Sequence, residues 1–137
     1  MSLESKLKDL GLELPEAAAP AANYVPYVIS GNTLYIAGQI PFLNGKKMFI
    51  GCVGRELSTN QGVEAAKACG LNILAQANAA VNGSWDRVLR CVKLGGFVHC
   101  EEGYYDQPTV INGASDLMVA VMGDAGKHAR FAVGAPA

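Results

Sequence analysis

An arginine, Arg130, sits at the entrance of an apolar strand in the segment Gly126-Lys127-His128-Ala129-Arg130-Phe131-Ala132-Val133. Setting a guanidinium into an apolar strand costs free energy unless an anion pairs with it. The chemistry this residue suggests is pairing with an anion or a carboxylate. The plain alternative is a surface arginine that caps a strand end. His128 lies two residues earlier, on the same strand face if the strand begins that early, and is a candidate to support Arg130. His99 ends an apolar stretch beside Cys100 and reads as a core histidine rather than an acid-base group. Glu101 and Glu102 read as a solvated loop tip that could border a pocket.

The four cysteines are Cys52, Cys69, Cys91 and Cys100, and none forms a Cys-x-x-Cys pair. With only two histidines in the chain, a metal site is not expected, and the thiols read as small core hydrophobes of a reducing compartment. The net charge is -1 and no basic cluster occurs, which argues against a phosphate-neutralising nucleic-acid surface. Half the residues are hydrophobic and 17% are charged, against a usual charged share of about 25%. That excess of apolar residues implies outer surface buried in an oligomer. No apolar run reaches the length of a membrane helix, and the polar start Met1-Ser2-Leu3-Glu4-Ser5-Lys6 is unlike a secretory leader, so a cytoplasmic location is expected.

The elements that must position Arg130 follow from periodicity and punctuation. The length predicts one domain over residues 1–137, with 1–22 as an N-terminal helix and connector. Leu3, Leu7 and Leu10 share a helical stripe that Gly11 and Pro15 close, and an irregular connector follows over 15–23. Tyr27-Val28-Ile29 and Leu34 to Ala37 form a hairpin about Ser30-Gly31-Asn32. Asn44-Gly45 is a second turn, with a third strand expected from Lys47 to Val53. Ser58 and Gln61 have capping-box spacing and open a long helix to about Val81, ended by Asn82-Gly83. A long strand is expected from Val88 to Cys100, with Gly95-Gly96 marking a bulge or a close backbone approach. Asp106-Gln107-Pro108 opens a second helix whose buried stripe is Val110, Ile111, Ala114, Leu117, Met118, Val121 and Met122, stopped by Gly123; the last strand is 129–133. The order β-β-β-α-β-α-β predicts an α+β fold with two main helices on one face of a mixed sheet.

Three blocks in register, Asn23-Tyr24-Val25-Pro26-Tyr27-Val28, Ala37-Gly38-Gln39-Ile40-Pro41 and Ala129-Arg130, make residues 17–133 resemble the reactive intermediate deaminase (RidA/YjgF) family. The resemblance implies a chorismate-mutase-like trimeric barrel with clefts at subunit interfaces. It implies hydrolysis of enamines or imines such as 2-aminoacrylate to 2-keto acids and ammonia, without a cofactor. A non-catalytic trimer that binds small carboxylates is the alternative, and the endoribonuclease activity attached to the family name finds no basic groove here. By resemblance Arg130 binds the substrate carboxylate, Tyr27 lines the cleft from a neighbouring subunit and orients water or the imine, and the backbone of Gly38 approaches the ligand. The family's helix asparagine falls at Ser115 or Asn112. Ala37 replaces a common serine, and Ala132 replaces a common Cys or Val. The family carries an acidic residue on one more long strand, which has no counterpart in residues 1–137.

Overall fold

The computed structural model of the chain describes residues 1–19 and 22–136. Residues 20–21 of the expected connector, and residue 137, lie outside the described residues. The elements are α1 (Leu3–Asp9), β1 (Tyr27–Ser30), β2 (Thr33–Ile36), β3 (Phe42–Leu43), β4 (Lys46–Lys47), α2 (Thr59–Ala80), β5 (Lys93–His99), α3 (Gln107–Met122) and β6 (Ala129–Ala135). The α+β class expected from the sequence is the one observed.

The long helix α2 starts where its cap dictates. The Ser58 side chain accepts from the Gln61 amide and the Gln61 side chain accepts from the Ser58 amide, so two otherwise unpaired donors are satisfied reciprocally. Helix α3 carries Pro at its start, and Gly123 ends it with φ 61. Asp106 at its N-cap position makes no side-chain cap; its carboxylate instead accepts from the Thr109 hydroxyl at 2.6 Å. The two helices cross closely because small residues line the crossing. A Cβ on Gly113 would stand 2.1 Å from the Val63 carbonyl oxygen, and one on Gly70 would stand 3.0 Å from Leu117 Cδ2. Leu74 of α2, Leu117 and Met118 of α3, and Leu3 and Leu7 of α1 make the innermost core. Leu10, expected on the buried stripe of α1, is exposed at the helix C-cap.

Strands β5 and β6 pair in parallel, with Leu94 opposite Arg130, Gly95 opposite Phe131 and Gly96 opposite Ala132. Their connection runs through α3, which packs against both. Leu94, Gly96 and Val98 face the helices and are buried, whereas Lys93, Gly95, Phe97 and His99 face away. No bulge occurs at Gly95-Gly96. The glycines mark close approach instead: the Phe131 ring lies over Gly95, and Ile111 of α3 fills the space over Gly96.

Several expectations are corrected. The third strand over 47–53 shrinks to the two-residue ladder of β3 with β4 and isolated bridges of Val53 with Leu57 and with Cys100. Positive φ at Phe49, Gly51 and Gly54 breaks the extended run. The strand expected from Val88 begins only at Lys93. Residues 85–87 form a 3-10 turn anchored by the buried Trp85, and the Cys91 amide is taken by the Ala125 carbonyl, so the chain before Lys93 is tied to a turn. The single mixed sheet is not formed among the described residues. The antiparallel β1–β2 hairpin and the parallel β5–β6 pair are separate ladders, the hairpin turning Leu34 and Ile36 toward the core. His99 is exposed on the outer face of β5 and is not a core histidine.

The helix crossing gives a stability test. Gly113→Ala drives a methyl into backbone that cannot yield, and after the gain in helix propensity it should destabilise the fold by roughly 2 kcal/mol. Gly70→Ala meets only the tip of a leucine and should be within about 1 kcal/mol of neutral. Urea unfolding of both variants measures the contrast, and equal effects would contradict this account of the crossing.

Candidate functional site

Arg130 occupies an inward-facing position of β6, directly opposite the buried Leu94. The strand pairing that fixes its backbone therefore aims the side chain at α3. There the helix presents Pro108, Asn112 and Ser115, spaced i, i+4, i+7 on one stripe. Arg130 Nη1 donates to Ser115 Oγ at 3.1 Å, and Nη2 donates to the Pro108 carbonyl oxygen at 3.2 Å. Both acceptors are neutral. The salt bridges among the described residues are Arg55–Glu56 and Lys127–Asp124, so Arg130 has no carboxylate partner among them. Of the five donors of a guanidinium, the Nε–H and one N–H on each terminal nitrogen remain for another group.

The hydrogen bonds extend beyond Ser115. His128 Nε2 lies 2.9 Å from Ser115 Oγ, and His128 Nδ1 lies 2.6 Å from the Gly126 carbonyl oxygen. A carbonyl oxygen only accepts, so Nδ1 carries the hydrogen. In the neutral ring Nε2 then accepts from the Ser115 hydroxyl. The result is a directed chain from Arg130 through Ser115 and His128 to Gly126. His128 precedes β6 by one residue and shares the side of Arg130, as its spacing from the arginine predicts. The Gly126 and Pro108 carbonyls were not candidates from the sequence; Pro108 could have been found from its helical spacing to Asn112 and Ser115.

Of the residues expected to act together, Arg130 and Ser115 are in contact. Asn112 is exposed on the same stripe of α3, one turn before Ser115, and makes no side-chain hydrogen bond. Tyr27 and Gly38 are not joined to this cluster by any hydrogen bond within the chain. Tyr27 borders a shallow apolar cleft of about 330 Å³ with Tyr24, Val25, Val28, Tyr35, Ile36 and Ala37. Gly38 has an ordinary φ and a Cβ there would meet open space, so neither backbone strain nor packing in this chain requires glycine. Glu101 and Glu102 are exposed in the loop after β5.

Among the described residues no group of three or more His, Cys, Asp or Glu side chains could hold a metal ion. The four cysteines are free thiols. No described helix is long and apolar enough to cross a membrane. Burial disfavours the charged thiolates of Cys69 and Cys91, pushing Cys69 up to about 12 and Cys91 in the same direction.

The sequence matches the family described as "YjgF/chorismate_mutase-like, putative endoribonuclease" over residues 4–137. The chain belongs to that family. It is 46% identical to Protein TCP17 of Trypanosoma cruzi over 131 residues, which is 95% of this chain and 81% of the relative. Among solved structures it resembles Atu1372 of Agrobacterium tumefaciens, a protein described as of unknown function, at a TM-score of 0.91 and 46% identity, covering 99% of this chain and 84% of that one. It also resembles a "putative endoribonuclease" of Shewanella oneidensis at a TM-score of 0.94 and 35% identity, covering 99% and 89%. The YjgF family resemblance expected from the sequence is thus established.

The Cys69 shift has a measurable consequence. In the unfolded chain the thiol ionises near its ordinary 9.0, whereas in the folded chain it keeps its proton to about 12. The folded state therefore binds more protons across that window, and stability falls as pH rises from 9.0 toward 12. Urea midpoints taken at about pH 8 and about pH 10.5 should drop more in the natural chain than in Cys69→Ala. Equal drops would contradict a buried, protonated thiol.

Proposed function

We propose that the chain is an enamine and imine deaminase that converts 2-aminoacrylate-like acids to 2-keto acids and ammonia. The observation that carries this reading is the half-buried Arg130 guanidinium, held by neutral acceptors only and left with three free donors. A planar cation fixed in this way is suited to the carboxylate of a small acid. Such anchoring supplies mostly orientation, which lowers the barrier by placing the imine carbon where water can reach it. The enamine first tautomerises to the imine. The water oxygen then bonds to the imine carbon, protons move to nitrogen, and the carbon–nitrogen bond breaks to give the keto acid and ammonia.

In this reading the working protein is a homotrimer with its sites at subunit interfaces. Support comes from the outer face of β5–β6. Parallel strands are normally covered on both faces, yet Phe97 is 71% exposed and stacks edge-on with Phe131, beside Val133, on a face that no element among the described residues covers. A neighbouring copy would cover it and bring the Tyr27 cleft of one subunit to the Arg130 of another. Asn112 and Gly38 would line the same space, with Gly38 kept small for the ligand rather than for the chain. The residues assigned are Arg130 for the carboxylate, Tyr27 for water or the imine, and Gly38, Ser115 and Asn112 for binding. No cofactor enters this chemistry. The endoribonuclease of the family description gains no support from a net charge of -1, or from a histidine, His128, already committed to Ser115 and Gly126.

The test is keto-acid release from enamines generated in situ by a dehydratase, with oligomer size checked by light scattering. Arg130→Ala should lower kcat/KM by roughly tenfold to a hundredfold, the equivalent of one charge-assisted pair. Arg130→Lys should recover only part of it, because a point charge lacks the fork. Full activity in an Arg130→Ala protein of unchanged size would overturn the role of Arg130. A natural chain that is inactive on every enamine would leave carboxylate binding without chemistry as the function.

A further inference from the structure

We propose that His128 is a positioning residue for the carboxylate site: it fixes the hydrogen-bond direction of Ser115 and, through it, the orientation of the Arg130 guanidinium. The inference rests on the reading of Arg130 as a carboxylate anchor and adds a specific device to it.

The argument is one of donors and acceptors. A serine hydroxyl has one hydrogen and can rotate it toward any acceptor, so a hydroxyl alone is a poor brace for an arginine. Here the rotation is settled by the histidine. The Gly126 carbonyl claims the Nδ1 hydrogen at 2.6 Å, which in the neutral ring leaves Nε2 as a lone pair 2.9 Å from Ser115 Oγ. The hydroxyl hydrogen is drawn to that lone pair. The oxygen lone pairs of Ser115 then face Arg130 Nη1 at 3.1 Å and accept from it. Polarisation along such a chain strengthens each member. The second terminal nitrogen is held by the Pro108 carbonyl, so the plane of the guanidinium is defined by two points two helical turns apart in sequence. Neither histidine nor serine has to touch the ligand for this to matter, because a bidentate pair is lost when the plane of the fork tilts.

The backbone supports the same conclusion. Gly126 is buried, and a Cβ on it would stand 2.2 Å from the Met118 carbonyl oxygen, so the segment before β6 is pressed against α3. The Gly126 carbonyl is therefore a fixed acceptor, and the ring inherits its orientation from the core.

The experiment measures binding of 2-oxobutyrate, and of its carboxamide as the neutral counterpart, by titration calorimetry. The variants are His128→Ala, His128→Gln, His128→Asn, Ser115→Ala and the double variant His128→Ala with Ser115→Ala. Gln can place an amide oxygen where Nε2 accepts the Ser115 hydroxyl. Asn keeps the contact to Gly126 and loses the one to Ser115. His128→Ala and His128→Asn should weaken binding of the acid by about tenfold, the worth of one hydrogen bond, and barely alter the amide. His128→Gln should stay within about threefold of the natural chain. The double variant should match Ser115→Ala, since the histidine acts through the serine. If His128→Ala does not fold, the contrast between Asn and Gln decides. Unchanged binding in both His128→Ala and His128→Asn overturns the inference while leaving Arg130 as the anchor. Equal weakening of acid and amide overturns it too, because that is the mark of a general structural role. Failure of the natural chain to bind 2-oxobutyrate overturns the carboxylate reading itself.

Discussion

The parallel pairing of β5 with β6 is the constraint on which the site depends. In that register Arg130 stands opposite Leu94, on the side that packs against α3. A cation is thereby committed to the helix-facing side of a strand pair whose other inward positions are apolar or small. The helix meets it with a hydroxyl and a main-chain carbonyl rather than a carboxylate. These neutral partners satisfy the geometry of the guanidinium and leave its charge unmatched, and an unmatched half-buried charge favours an anion from outside.

The rest of the fold places α3 where it can do this. The crossing at Gly113 lets α2 and α3 approach to backbone contact, and this sets the rotation of α3 about its axis. One side of α3 then carries Val110, Gly113, Ala114 and Leu117 into the core, and the stripe of Pro108, Asn112 and Ser115 runs alongside β6. Ile111, between the two, fills the gap over Gly96. Arginine anchoring and helix packing are therefore not separable features. A change that rotates α3 moves Ser115 away from both His128 and Arg130.

Much of this was legible in the sequence, for physical reasons. The two long helices announce themselves by apolar period, by the Ser58–Gln61 box and by the Pro108 start, all of which act locally. The β1–β2 hairpin was legible from its turn residues, but two other stretches were not. Residues 47–53 look extended by composition, yet positive φ at Phe49 and Gly51 is decided by how the loop closes on Cys52, whose amide donates to Glu56 at 2.9 Å. Residues 88–92 look like strand because they are apolar, and they are irregular because the Cys91 amide bonds to the Ala125 carbonyl, far along the chain. At the site, the arginine was visible from its apolar setting and from the resemblance. The choice between Ser115 and Asn112 was not, because it depends on the rotation of α3. His128 was placed by its two-residue spacing, but its bond to Gly126, which gives it a direction, needed the folded chain. The grouping of Tyr27 and Gly38 with Arg130 does not arise among the described residues of one chain, and belongs to the proposed assembly of subunits.

The central claim is that the Arg130 guanidinium is the anchor for a carboxylate ligand. A crystal structure of the chain soaked in 2-oxobutyrate tests it most directly. The account predicts both carboxylate oxygens at about 3 Å from Arg130 nitrogens that carry the free N–H donors, with the Ser115 and Pro108 contacts intact. A ligand carboxylate bound elsewhere, with Arg130 still holding only its neutral partners, would contradict it.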